Sequence, residues 1–137
     1  MESVKNSLVL FDVDGTLTES RQMISKDMIE ALRELSHTTE IGLLTGSGLE
    51  YIKEQLWPLF ADREIGINCH VLPCNSTEYY IPNPDSPGSF IEIFRTSMED
   101  KIGFEKFQLV MKTIISQQAK IVEADYDIPF TGHHFQN

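Results

Sequence analysis

The sequence predicts an α/β fold, a doubly wound parallel sheet, and three observations carry that expectation. Short β-rich apolar runs alternate with amphipathic helical stretches, an order that favours parallel pairing with right-handed crossovers. The first run, residues 7–12 (Ser-Leu-Val-Leu-Phe-Asp), stops abruptly at a carboxylate, and the second, residues 40–45, stops at a threonine before a glycine turn. Polar residues at strand carboxyl ends are where ligands bind in such sheets.

Taken in order, residues 7–12 read as a buried strand, followed by a Gly-Thr turn at Gly15 and Thr16. A helix fits residues 26–36, with Ser25 as N-cap and Met28, Ile29, Leu32 and Leu35 on one face. Residues 40–45 (Glu-Ile-Gly-Leu-Leu-Thr) form a second buried strand. The turn Gly46-Ser47-Gly48 then opens a helix whose apolar stripe is Leu49, Ile52, Leu56 and Phe60. Residues 65–72 read as a third strand, with Cys69 buried in it and Cys74 just beyond.

Beyond Tyr79 the pattern changes. Residues 77–81 and 90–95 suit the arms of a hairpin across a loop rich in proline, asparagine and glycine. Phe104, Phe107, Met111, Ile114 and Ile115 mark an amphipathic helix reaching to about Ala119, and a second structural unit is expected from about Ser97 onward. The expected organisation is a core in residues 1–85 and the beginning of an α+β cap in residues 86–137.

Composition narrows the function. At 137 residues the chain suits one domain, and 41% hydrophobic content supports a core. A net charge of −10 argues against nucleic acid and against an anionic membrane surface as main partner. It leaves room for a small anionic substrate held at a local site. No stretch has the make-up of a secretory leader or a bilayer span. Two cysteines make neither a disulfide framework nor a zinc pattern, so a reducing, cytoplasmic setting is expected.

The chemistry concentrates in Asp12-Val13-Asp14-Gly15-Thr16. An aspartate can attack phosphorus and split one hard displacement into two easier ones. A second carboxyl two residues on can protonate the leaving oxygen and then deprotonate the next acceptor. Carboxylates brought against a phosphate need a cation, and Mg²⁺ bound by carboxylate oxygens and water meets that need. The same pair of aspartates alone would also suit an acidic surface turn; the preceding apolar strand favours the site. At Thr45-Gly46-Ser47, a hydroxyl at a strand end followed by a flexible turn into a helix start suits phosphate.

These two segments resemble motifs I and II of the haloacid dehalogenase superfamily, in its capped subclass IIB. More closely, residues 11–24 and 41–56 resemble the eukaryotic-type phosphomannomutases, which carry a large cap after the third core strand. The resemblance implies Asp12 as nucleophile and metal ligand, and Asp14 as general acid/base whose backbone carbonyl also touches the metal. It implies Thr45, Gly46 and Ser47 as phosphoryl-binding, Arg21 as facing a sugar phosphate, Mg²⁺ as cofactor, and a homodimer through the cap.

Three departures qualify it. The family carries Glu-Asn-Gly after its third strand, where this chain has Cys74-Asn75-Ser76. Cap arginines that clamp a second phosphate have no counterpart in residues 129–137, which hold instead the pair His133-His134, open to phosphate or metal. The lysine and later acids that complete the family's site are expected beyond the cap, so the chain reads as part of a longer protein. Phosphatase and mutase both remain open, with a non-catalytic binding or dimerisation module as the alternative.

Overall fold

The computed structural model describes residues 7–66, 68–86 and 88–123. The pair His133-His134 and the stretch 129–137 lie outside the described residues. The chain divides into two compact units, Met1–Arg95 and Thr96–Asn137.

The first unit is built on a mixed five-stranded sheet in the order β1-β2-β3-β4-β5. Its strands are β1 (Leu8–Phe11), β2 (Glu40–Leu44), β3 (Cys69–Leu72), β4 (Glu78–Pro82) and β5 (Phe90–Arg95). β1, β2 and β3 run parallel, with Phe11 opposite Leu43 and Leu43 opposite Val71. β4 and β5 are the expected hairpin, joined antiparallel to β3 through Val71 and Tyr80. Residues 86–95, expected with the cap, therefore include the outer strand of the core sheet.

The first crossover contains α1 (Lys26–Ser36), whose Ser25 hydroxyl accepts the Met28 N–H at 3.2 Å as an N-cap. The second contains α2 (Leu49–Gln55) and the single turn α3 (Trp57–Phe60). The continuous helix expected from Leu49 to Phe60 breaks at Leu56, because Pro58 has no N–H for the helical ladder and its ring crowds the preceding turn. Ile29, Leu32, Ile52, Leu56 and Leu59 share one core with Ile41, Leu43, Cys69 and Val71. Each fully buried aliphatic side chain there contributes about 1.5–3 kcal/mol.

Two strands differ from expectation. Alternation puts Leu8 and Leu10 on the same face of β1, and they stay 49% and 48% exposed where a buried strand was expected. Both lean over Gly42 on the neighbouring strand, where a Cβ would run into Leu10 Cδ2. β3 begins at Cys69 rather than Ile65. Asp62 Oδ1 accepts the N–H groups of Glu64 and Ile65 at 2.9 and 3.2 Å, and this turn uses up the donors a strand would need.

Pro73–Ser76, α4, is a tight turn after β3 in which Cys74 (φ 50°), Asn75 (φ 55°) and Ser76 (φ 65°) are all left-handed. The second unit contains α5 (Met98–Ile102) and α6 (Phe104–Glu123). Ser97 and Asp100 form a capping box at the start of α5, and Gly103 (φ 82°) separates the two helices. α6 extends past the expected end near Ala119.

Candidate active site

The parallel strands β1, β2 and β3 deliver residues 12–18, 45–48 and 73–77 to the same end of the sheet. The first of these segments is a tight turn anchored by its middle residue. Val13 is buried, and its carbonyl accepts the N–H groups of Thr16, Leu17 and Thr18 at 3.2, 3.0 and 3.1 Å. Gly15, at φ 79°, lets the chain reverse so that its N–H reaches the Thr18 carbonyl at 2.7 Å. With Val13 pointing into the core, Asp12 is left exposed and Asp14 half-buried on either side of it.

The two carboxylates are held differently. Among the described residues, Asp12 Oδ1 accepts only the adjacent Val13 N–H, at 2.8 Å. Asp14 Oδ1 accepts two longer-range donors, the Arg21 N–H at 2.8 Å and Gln55 Nε2 at 2.8 Å. The same Gln55 nitrogen donates to the Thr18 hydroxyl at 2.8 Å. Arg21, left-handed at φ 58°, thus touches the site through its backbone; its guanidinium lies on an exposed residue.

The second segment is clamped from beneath. Thr45 is 4% exposed, and its hydroxyl accepts the Ser47 N–H at 3.1 Å, closing the turn through Gly46. The left-handed turn after β3 braces it. Asn75 donates its N–H to the Thr45 carbonyl at 2.9 Å, and Cys74 donates its N–H to the Ser47 carbonyl at 3.0 Å. A Cβ at Gly46 would meet Asn75 Oδ1 at 3.4 Å, so a side chain there would press on the brace. α2 is only seven residues long, and the hydroxyls and N–H groups of this loop, rather than a helix dipole, are its polar resources.

Neither thiol competes as a nucleophile. Burial pushes Cys69 up to about 12. Cys74 is also raised, first by burial and then by Glu78, so both stay protonated near neutrality.

Asp12 and Asp14 are the only sequence-expected metal ligands in the described turn, and among the described residues no group of three His, Cys, Asp or Glu side chains comes together. A carboxylate at Asp12 and a backbone carbonyl at Asp14 on one turn offer oxygen ligands to a hard cation that keeps several waters and shares substrate oxygens, as Mg²⁺ does.

The structure thus brings together Asp12 and Asp14, and separately Thr45, Gly46 and Ser47 with the Asn75 brace. Gln55 and Thr18 were not anticipated. A signal existed: on α2 an apolar residue is expected three positions after Ile52, and glutamine stands there instead.

No protein-family model matches the chain. Phosphomannomutase 1 of Dictyostelium discoideum is 46% identical over 56 residues, 41% of this chain and 22% of that protein. The phosphomannomutase of Schizosaccharomyces pombe is 50% identical over 50 residues, 36% of this chain and 20% of that one. The matched region thus spans about a fifth of the length of these curated relatives. Among solved structures, an N-terminally truncated, IMP-bound IMP-nucleotidase of Plasmodium falciparum aligns at TM-score 0.64 and 13% identity, over 85% of this chain and 35% of that one. A haloacid dehalogenase-like hydrolase from B. subtilis aligns at TM-score 0.53 and 21% identity, over 78% and 34%.

The fold is accordingly that of the haloacid dehalogenase-like proteins. Within that class the matched part of the sequence is phosphomannomutase-like.

Proposed function

We propose that this protein catalyses phosphoryl transfer on a small phosphorylated metabolite, a sugar phosphate, through an aspartyl-phosphate formed on Asp12. The observation that carries the proposal is the division of labour in the aspartate turn. Asp12 is exposed and lightly held, as a nucleophile must be, while Asp14 is fixed through one oxygen. The phosphomannomutase-like sequence supports the same reading.

In the first step an Asp12 carboxylate oxygen attacks phosphorus, the phosphorus–oxygen bond to the sugar breaks, and Asp14 gives its proton to the departing alkoxide. In the second, Asp14 takes a proton from the incoming hydroxyl, whose oxygen attacks the same phosphorus. The bond to Asp12 breaks and the carboxylate is restored. Water as acceptor makes the protein a phosphatase; a second sugar hydroxyl makes it a mutase. Thr45, Gly46 and Ser47 hold the transferring phosphoryl oxygens, and Arg21 lies beside Asp14 to meet the sugar phosphate. Mg²⁺ held by the Asp12 carboxylate and the Asp14 backbone carbonyl would neutralise the charge of carboxylate and phosphate brought together.

The proposal places the protein in the cytoplasm, where two free thiols persist. It also makes the second unit, from Thr96 onward, a dimerisation cap, in keeping with exposed Leu109, Ile114 and Ile115 on α6.

The test is phosphate release from a panel of sugar phosphates by the full chain with Mg²⁺. Wild type should turn over and Asp12→Asn should not. Undiminished activity of Asp12→Asn refutes the nucleophile, and an inert wild type favours the binding-module alternative.

A further inference from the structure

Gln55 occupies a place that packing alone would give to a leucine. It is 6% exposed on α2, between Ile52 and Leu56, which are wholly buried. Its Oε1 is buried and, among the described residues, has no hydrogen-bond partner. A buried amide with an orphaned oxygen is disfavoured against an apolar side chain of similar size, so its presence calls for another reason.

The other end of the amide supplies one. Nε2 donates to Asp14 Oδ1 and to Thr18 Oγ1, both at 2.8 Å. The Thr18 hydroxyl gives its own hydrogen to the Val13 carbonyl, at 3.4 Å, so it can only accept from Gln55. Carboxylate and hydroxyl both demand donors, and this fixes which end of the amide faces the turn. The Gln55 backbone carbonyl also accepts the Ile24 N–H at 3.2 Å, which secures the return of the segment after the turn. Among the described residues, both hydrogen bonds to the Asp14 carboxylate, one from the Arg21 backbone N–H and one from Gln55, fall on Oδ1, leaving Oδ2 for chemistry.

We infer that Gln55 is a positioning residue for Asp14, holding one carboxylate oxygen so that the other is aimed at the leaving-group and acceptor oxygens. The inference rests on the functional reading above. Its effect must show where Asp14 is needed most, in protonating a poor leaving group.

The experiment compares kcat/KM, which reports the phosphorylation of Asp12, for a sugar phosphate and for p-nitrophenyl phosphate. The nitrophenolate departs without a proton, so it bypasses the acid. The variants are Gln55→Leu, which keeps volume, and Gln55→Glu, which keeps shape but replaces the donor. Both should lose about 10–100-fold on the sugar phosphate, the usual effect of removing a supporting partner. On p-nitrophenyl phosphate they should lose no more than about threefold, because general acid catalysis is not in use there. Asp14→Asn should show the same selectivity to a greater degree. The melting temperature of metal-free Gln55→Leu should stay within a few degrees of wild type, because relief of the orphaned oxygen offsets the loss of the two hydrogen bonds from Nε2.

Equal losses on both substrates, or no loss on either, overturn the positioning role. So does a Gln55→Leu protein whose activity falls only in step with a lowered melting temperature. Failure of the functional reading looks different: wild type inert on both substrates, or Asp12→Asn active on both, and the assignment of Gln55 falls with it.

Discussion

Ser76 is the third of three consecutive left-handed residues, at φ 65°. A side chain with a Cβ costs about 1–2 kcal/mol in that region, because Cβ crowds the following carbonyl. Ser76→Gly removes the crowding but releases a looser unfolded chain, which costs about 0.5–1 kcal/mol. The balance is a stabilisation between roughly zero and 1.5 kcal/mol. For a chain of this size that raises the melting temperature by up to about 6 °C. Ser76→Ala retains the Cβ and should stay within about 0.5 kcal/mol of wild type. Paired thermal and urea unfolding of the full chain reads both. A Ser76→Gly protein less stable than wild type, or one outdone by Ser76→Ala, would refute the left-handed assignment.

Two further outcomes follow from the packing and charge of the segment before β3. A Cβ at Gly66 would lie 2.6, 2.6 and 2.9 Å from the carbonyl oxygens of Asp62, Phe60 and Leu59, so backbone must move. Gly66→Ala should therefore destabilise by about 1–3 kcal/mol in urea unfolding, with no loss meaning that the turn is looser than described. Asp62 is pulled two ways. Burial raises its carboxyl, but the Arg33 hydrogen bond at 2.6 Å and the Glu64 and Ile65 N–H groups outweigh burial and leave it lowered. A depressed folded-state value means stability that is full above the ordinary value of 3.8 and is lost as pH falls through the lower, folded-state one. The melting-temperature advantage of wild type over Asp62→Asn should hold at neutral pH and vanish in strong acid; an advantage constant with pH contradicts the ion pair.

Much of the fold is legible in the sequence because the signals are local. The Ser25 cap, the apolar face of residues 26–36 and the turn-rich loop before residues 90–95 each state their element directly. The errors fall where two signals compete. The stripe Leu49, Ile52, Leu56 and Phe60 suggested one helix, yet Pro58 interrupts it. Ile65 is buried by a turn closed on Asp62 rather than by a strand. At the candidate site, Asp12, Asp14, Thr45 and Ser47 could be read from spacing, since each sits at or just past a strand end. Gln55 could not be given its partners that way, because it meets Asp14 across 41 positions of sequence. Only the packing of α2 against the aspartate turn brings them together.

The central claim is that Asp12 carries the phosphoryl group, and rapid acid quenching of the full chain during turnover of a sugar phosphate with Mg²⁺ tests it directly. Intact-mass and peptide analysis should find one phosphoryl group on the peptide containing Asp12, removed by hydroxylamine as an acyl phosphate is, and absent from Asp12→Asn. Phosphate released at a steady rate with no adduct at Asp12, and with Asp12→Asn still active, would contradict the account.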